Sequence, residues 1–189
     1  MTAPTDAEIM RDLRMFGRNL CAARERIAPD QKAFAKLANF DRSTISKVEC
    51  GKQAPKFDTF LALAQAADVT PAELLSGIGP ARTTQETPNH GRAAPAAPAT
   101  LFGANLKWAR ERAGLSHAEL WSSAAVDRSL ISDWELGKRE ANLRTILKLA
   151  RALEISPAVL LYNVELDPVH KAAVQASDGD IREDHPTES

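Results

Sequence analysis

Apolar residues recur every three or four positions along most of the chain, and this spacing predicts a series of short helices. The first helix is predicted to run from about residue 6 to residue 27, because the capping-box spacing of Thr5-Asp6-Ala7-Glu8 leads into an apolar stripe. The stripe consists of Ile9, Leu13, Phe16, Leu20 and Ile27. No segment alternates between polar and apolar residues for long enough to predict a strand, so the predicted fold class is all-α.

The chain also repeats itself at an offset of 86 residues. Residues 16–75 align with residues 102–161 without a gap, and 26 of the 60 positions are identical. The run Ala23-Arg24-Glu25-Arg26, for example, returns as Ala109-Arg110-Glu111-Arg112. A match of this length indicates a tandem duplication, whose two halves are called copy one and copy two.

Five helices are predicted in each copy. In copy one, Asp30 and Asp41 are predicted to cap the second and third helices, and Gly51 to end the third. Phe34 and Leu37 form the predicted apolar side of the second helix. Copy two repeats these signals in register, so the pattern predicts two tandem five-helix domains.

Composition changes between the copies and at both of their outer edges. The first domain is predicted at residues 6–75, including an N-terminal extension of its first helix. Residues 76–100 are rich in Pro, Ala and Gly and are predicted to form a flexible linker. The second domain is predicted at residues 101–161. Residues 162–189 are predicted to hold one short helix and an acidic disordered tail.

Charge becomes informative only when it is counted by segment. The whole chain has a formal net charge of −1, but each copy holds nine Lys or Arg against seven Asp or Glu. The acidic excess lies in residues 162–189, which hold two basic and seven acidic side chains. Each copy is therefore a mildly basic module, as a nucleic-acid-binding domain requires.

The remaining composition argues against several other classes of protein. Cys21 and Cys50 cannot form a disulfide framework, and the four histidines lack metal-ligand spacing, so we expect no metal and no cofactor. No Ser, His and Asp set suggests catalysis, so we do not expect an enzyme. No apolar run reaches the roughly 18 residues of a membrane span, and the first residues lack the pattern of a secretory signal. We therefore expect a cytoplasmic protein that contacts no membrane.

Residues 30–52 combine a capped helix, a tight turn and a second capped helix that carries the pattern Arg42-Ser43-x-Ile45-Ser46-x-x-Glu49-x-Gly51-Lys52. This stretch and residues 116–138 closely resemble the helix-turn-helix of the phage-repressor family, also called Cro/CI type or XRE. The resemblance implies two lambda-repressor-like domains in a sequence-specific regulator of transcription that binds double-stranded DNA. It further implies a repressor from a bacterium or its mobile elements.

The resemblance also implies roles for individual residues, because the third helix of each copy would enter the major groove. The implied base-contacting residues are Arg42, Ser43 and Lys47 in copy one and Arg128, Ser129 and Asp133 in copy two. The implied phosphate-contacting residues are Gln31, Thr44, Ser46, Lys52 and Lys56 in copy one and His117, Lys138, Arg139 and Arg144 in copy two. Two implied ion pairs, Arg24–Glu49 and Arg110–Glu135, would hold helices together.

Copy two departs from the family pattern at three positions that matter for reading DNA. Trp121 replaces a small residue, Ala125 stands where the turn usually has Gly, and Asp133 replaces the basic Lys47. These changes leave two hypotheses for copy two, a second DNA reader or a module that binds a protein partner, as in an antitoxin or an adaptor. Whether two chains form a homodimer is also left open by the sequence.

Overall fold

A computed structural model of the chain describes residues 3–80, 87–88 and 96–164, and all regular structure in these ranges is helical. Copy one contains α1 (Asp6–Ile27), α2 (Gln31–Ala38), α3 (Arg42–Glu49), α4 (Phe57–Ala66) and α5 (Pro71–Leu74). Copy two contains α6 (Pro98–Arg112), α7 (His117–Ala124), α8 (Arg128–Glu135), α9 (Leu143–Ala152) and α10 (Pro157–Leu160). The predicted all-α fold with five helices in each copy is confirmed. The predicted tail and its short helix lie outside the described residues, apart from residues 162–164.

Short polar side chains set most of the helix starts. Thr5 and Glu8 form the predicted reciprocal capping box of α1, and the Asp30 side chain accepts from the Ala33 N–H at the start of α2. Copy two begins α7 with a capping box between Ser116 and Glu119. The backbone hydrogen bond that Glu119 accepts from Ser116 is the main reason that the pKa of this carboxyl lies below its usual value.

Local details differ from the sequence-based expectation at four places. Ile27, the last residue of the predicted apolar stripe, is 44% exposed at the end of α1. Asp41 is the N-cap residue of α3, but its side chain makes no capping hydrogen bond. Leu37 is 57% exposed, because α2 buries Phe34 and Ala35 instead. Helix α6 begins at Pro98, inside the predicted linker, since Pro fits the first turn of a helix where its missing N–H is not needed.

The same two devices build the scaffold of both copies. In copy one, α1 and α3 cross so closely at Gly17 that a Cβ there would collide with the Glu49 carbonyl, and Gly103 repeats this crossing against the end of α8. The Asn19 side chain donates to the carbonyls of Leu74 and Ser76, at 2.9 and 3.0 Å, and Asn105 makes the equivalent pair in copy two. The glycine crossings place α3 and α8 in the same way within their copies, and the asparagines fasten α5 and α10 to the first helix of each copy.

The two copies pack directly against each other and share one apolar core. Helix α5 packs on α10, and α1 packs on α9. The rings of Phe57 and Phe102 meet across the boundary with centroids 5.7 Å apart, and the Leu143 N–H donates to the Pro55 carbonyl at 3.1 Å. The distance between the copies is therefore set by packing and not by the length of the linker.

Candidate nucleic-acid interface

Helix α3 presents one polar face and one buried face. Ile45 and Val48 are fully buried and fasten the helix to the core of copy one. Arg42, Ser43 and Lys47, the three implied base-contacting residues of this copy, are exposed on the open face. Thr44 and Ser46 are half-buried at its edges. The helix therefore exposes two cations and a hydroxyl on one rigid surface.

Helix α8 is anchored in the same manner but carries different polar groups. Ile131 and Trp134 are buried, whereas Arg128 and Ser129 are exposed at the N-terminal end. The Ser129 side chain and N–H both donate to the carboxylate of Asp127, at 2.8 and 2.9 Å. This local network holds the hydroxyl of Ser129 against the helix cap, where Asp41 makes no such capping bond in copy one.

The turns between the paired helices have the same backbone conformation in both copies. Asn39 and Ala125 adopt left-handed conformations, with φ of 57° and 49°. Asn tolerates this region better than other residues with a side chain, whereas Ala has no such compensation. The turn of copy two is therefore built with more backbone strain than that of copy one.

A buried carboxylate joins three helices in copy one. Glu49, the last residue of α3, accepts from Arg24 Nε at 2.7 Å and from Gln31 Nε2 at 2.8 Å. Arg24 belongs to α1 and Gln31 opens α2, so a single side chain holds the orientation of α3 against both. The hydrogen bond to Glu49 raises the pKa of Arg24 further above its usual value.

Copy two repeats this arrangement with a histidine in place of the glutamine. Arg110 donates to both carboxylate oxygens of Glu135, at 2.6 and 3.1 Å, and His117 Nε2 lies 2.9 Å from Oε2. Burial acts to raise the pKa of Glu135, but the hydrogen bonds from Arg110 and His117 outweigh it and hold that pKa below its usual value. Gln31 and His117, the implied phosphate contacts at the helix starts, are thus engaged with these glutamates.

Each copy places a capped helix, a left-handed turn and an open polar helix in the order that the sequence pattern predicts. A family model described as helix-turn-helix matches residues 30–74 and, separately, residues 106–160. The chain belongs to this family, of the Cro/CI type. No curated protein and no solved structure matches it. The helix-turn-helix family identifies the chain as a DNA-binding regulator, and its members are typically not enzymes.

In a helix-turn-helix protein the helix that enters the major groove is the second of the pair, here α3 and α8, which we call the recognition helices. The basic side chains next to the recognition helices differ in whether they form an ion pair. Lys52, Lys56 and Lys138 are exposed in the segments that follow the recognition helices. Arg139, also exposed, forms an ion pair with Asp133 on α8 at 3.3 Å.

Arg144, an implied phosphate contact of copy two, makes contacts within the protein that the resemblance did not imply. Its guanidinium pairs with Asp6 of α1 at 3.1 Å and lies 3.5 Å from the sulfur of Met10. It therefore contacts copy one across the boundary between the copies. The alignment of the repeats could not indicate this contact, since the start of α1 has no counterpart in copy two.

Sequence reasoning also missed an ion pair that lies between the two copies. Arg151 on α9 makes two hydrogen bonds to the Asp12 carboxylate, at 2.6 and 2.8 Å, and one to Glu8 at 3.1 Å. Asp12 is 4% exposed, although it lies on a stripe of α1 that is otherwise apolar. A carboxylate in the middle of a buried stripe was the available signal, because such a charge requires a partner.

The three tryptophans of copy two occupy different environments. Trp134 is buried against α6, whereas Trp108 is half-buried with the Arg112 guanidinium 5.6 Å from its ring centroid. Trp121 is half-buried, and its Nε1 is enclosed without a hydrogen-bond acceptor among the described residues. These side chains belong mostly to the packing of copy two.

The described residues contain no group of His, Cys, Asp and Glu that could hold a metal ion. Among the helices that the structure describes, none combines the length and the apolar character that a membrane span needs.

Proposed function

We propose that the chain is a transcriptional repressor that recognises a specific double-stranded DNA sequence with α3 and α8. In this proposal Arg42, Ser43 and Lys47 contact base edges from α3, and Arg128, Ser129 and Asp133 do so from α8. Arg and Lys suit the O6 and N7 acceptors of guanine, and a carboxylate accepts from the N4 amino group of cytosine. The two halves of the site therefore differ in sequence.

One observation carries this proposal. Each recognition helix buries two apolar residues in the core and exposes an Arg-Ser pair at its N-terminal end, and a buried Arg–Glu pair fastens its C-terminal end to the first helix of the same copy. A recognition helix must hold its side chains rigidly, since a displaced donor loses the bidentate geometry on which base discrimination depends.

Phosphate contacts are assigned to the exposed cations beside the recognition helices. Lys52 and Lys56 serve copy one, and Lys138 and Arg139 serve copy two. Thr44 and Ser46, at the edge of α3, face the wall of the groove. Gln31 and His117 stand at helix N-termini, where backbone N–H groups favour phosphate. Arg144 is the remaining phosphate candidate of copy two, and in the free protein its guanidinium pairs with Asp6 of α1.

The repressor role follows from the way in which the two copies would occupy DNA. All the helices in the described residues belong to the two copies. With both recognition helices in the major groove, the protein would cover its site and exclude other proteins from it. A promoter that contains the site should therefore lose transcription when the protein is added to a purified transcription reaction.

Selection of bound sequences from random DNA tests the DNA-reading proposal. We expect the full-length protein to enrich one sequence of two unequal halves. Replacing Arg42→Ala should weaken binding to it by about 1–3 kcal/mol and relax selectivity at one base in one half, and Arg128→Ala should do the same in the other half. Equal affinity and selectivity of both variants and the parent would contradict the assignment of these residues.

A protein partner for copy two is the second candidate function, and two observations favour it. Asp133 forms an ion pair with Arg139 and offsets its positive charge. Leu136 is 60% exposed directly after α8. A surface of this kind suits a protein better than a polyanion.

The salt dependence of DNA binding separates the two candidates. Each lost phosphate contact reduces the slope of log affinity against log salt by about 1. If copy two reads DNA, Lys138→Ala and Lys52→Ala should reduce the slope equally. If copy two binds a protein, only Lys52→Ala should reduce it.

A further inference from the structure

The boundary between the copies contains an ion cluster, formed by Asp12, Glu8 and Arg151. The side chain of Arg151 is 10% exposed and that of Asp12 is 6% exposed, so their paired hydrogen bonds are shielded from water. Breaking such a pair leaves an uncompensated buried charge, which makes the arrangement hard to pull apart. The Arg144–Asp6 pair extends the cluster toward the solvent.

The contacts across the boundary follow the symmetry of the repeat. Helix α5 packs on α10, which is its own counterpart at the repeat offset of 86 residues. Helix α1 packs on α9, and Phe57 of α4 packs on Phe102 of α6, which is the corresponding pair of helices with the roles of the copies exchanged. Contacts of this kind define a twofold interface, as in a symmetric dimer. One chain therefore contains the equivalent of a dimer.

The segments that follow the recognition helices meet at this interface. Pro55 lies between α3 and α4, and Leu143 opens α9 directly after the segment that follows α8. The backbone hydrogen bond between them, 3.1 Å long, joins these segments. Both recognition helices thus end within eight residues of a shared contact, so the packing of the interface determines their separation.

The ion cluster lies on one side of the twofold interface only. At the repeat offset, Arg151 corresponds to Gln65, which is exposed, and Asp12 corresponds to Pro98. The opposite side is closed by the rings of Phe57 and Phe102. Apolar rings give affinity with little directional preference, whereas a bidentate guanidinium–carboxylate pair fixes one relative orientation.

We propose that Arg151 is a positioning residue: by holding Asp12 and Glu8 it fixes the separation of α3 and α8, so that one chain reads a two-part DNA site of a single spacing. This inference rests on the proposed function of α3 and α8 as DNA readers. In this inference the interface between the copies sets the spacing between the two halves of the DNA site. Neither the linker nor a second copy of the chain sets it.

A distance measurement on the free full-length protein tests the positioning role without DNA. Spin labels at Cys50 and at Leu136→Cys report the separation, because these exposed counterpart positions directly follow α3 and α8. Cys21→Ala removes the other thiol. We expect a narrow distance distribution in this labelled protein and a broad one after Arg151→Gln or Asp12→Asn. Gln65→Ala, the matched control at the counterpart position, should leave it narrow.

A spacing series tests the consequence for DNA. Inserting two base pairs between the halves of the selected site should cost the parent about tenfold or more in affinity, since only one half can then be engaged in the correct geometry. Arg151→Gln should lose less than about threefold on the same insertion while binding an isolated half-site as the parent does. Asp12→Asn should behave likewise, although it changes the charge in the opposite direction.

A third variant does not depend on the stability of the ion cluster. Ten Gly and Ser residues inserted between Ala81 and Glu86 should leave the spacing preference unchanged. A preference that moves with linker length, a parent that accepts all spacings equally, or a broad distance distribution in the parent would each overturn the positioning role. Failure of the parent to enrich any sequence would instead overturn the proposed function, and the spacing inference with it, even where the distance distribution is narrow.

Discussion

Copy one and copy two have the same scaffold and differ in the chemistry that the scaffold presents. Both fasten the recognition helix with a buried Arg–Glu pair and a glycine crossing, and both turn into it through a left-handed residue. The exposed face differs most where Lys47 is replaced by Asp133, which pairs with Arg139. The comparison teaches that the duplication kept the Arg–Glu pair and the glycine crossing that place the helix. It also kept the Arg-Ser pair at the start of the helix, whereas the charge at the position of Lys47 and Asp133 reversed.

Replacing the buried glutamates should give the largest loss of stability in either copy. Glu49→Ala and Glu135→Ala each leave a buried guanidinium without its main partner, and each should lower the free energy of unfolding by about 3 kcal/mol. Denaturant unfolding of the full-length protein measures both values. Glu25→Ala, at a more exposed carboxylate 3.6 Å from the same Arg24, should cost much less. A loss confined to one copy would show that the two scaffolds are not equivalent.

The glycine crossings should respond almost as strongly. Gly17→Ala and Gly103→Ala each force a methyl group into the backbone at the end of a recognition helix, and each should cost about 2–3 kcal/mol of stability. Thermal unfolding followed by circular dichroism measures the loss. Arg18→Ala, at the exposed neighbouring position of α1, serves as the control and should be close to neutral.

Exchanging the divergent charge tests the difference between the exposed faces. Asp133→Lys makes α8 resemble α3 and frees Arg139, so we expect several-fold tighter binding to nonspecific DNA and a slope against salt that is steeper by about 1. Lys47→Asp should produce the opposite change in copy one. Titration of a random duplex at several salt concentrations measures both. Unchanged slopes in both variants would contradict contact of these positions with DNA.

The two turns should respond unequally to glycine. Ala125→Gly removes the cost of a left-handed alanine, and we expect it to stabilise the protein by about 1 kcal/mol. Asn39→Gly should be close to neutral, because Asn already tolerates this conformation. The midpoint of denaturant unfolding measures both. Equal effects at the two turns would contradict the difference in strain.

Lowering the pH should reduce the contribution of Glu135 to the stability of the folded protein. Its pKa in the folded protein lies below its usual value near 4.5, so its contribution to stability is complete above that value and is lost as the pH falls through the lower, folded pKa. The difference in unfolding free energy between the parent and Glu135→Gln should therefore be largest near neutral pH and shrink as the pH falls below 4.5. A difference that grows on acidification would contradict this sign.

The helices could be predicted from the sequence because their signals are local. Helix α1 spans the range that its capping box and apolar stripe indicate, and the repeat itself supplies the same pattern twice. The prediction was wrong for Leu37, which the spacing alone places on the apolar side of α2 but which projects into solvent. Spacing cannot decide how much of a short helix its neighbours cover.

The contacts between the copies could not be predicted in the same way. Arg151 and Asp12 are 139 residues apart, and neither is repeated in the other copy, so no local pattern and no internal alignment connects them. The bonds of Gln31 and His117 to the glutamates escaped prediction for a related reason. The resemblance implied that these two residues contact DNA phosphate, but it gave no indication of their hydrogen-bond partners within the protein.

Housing both recognition helices in one polypeptide alters how the target sequence can evolve. In a homodimer of single-domain subunits, one codon serves both halves of the operator, so every substitution acts twice and the two halves must change together. Here Arg42 and Arg128 are encoded separately, while the packing of α5 on α10 keeps their helices in one assembly. Under the proposed function, each half of the operator can therefore drift without the other, and a lineage can acquire a new target by changing one half at a time.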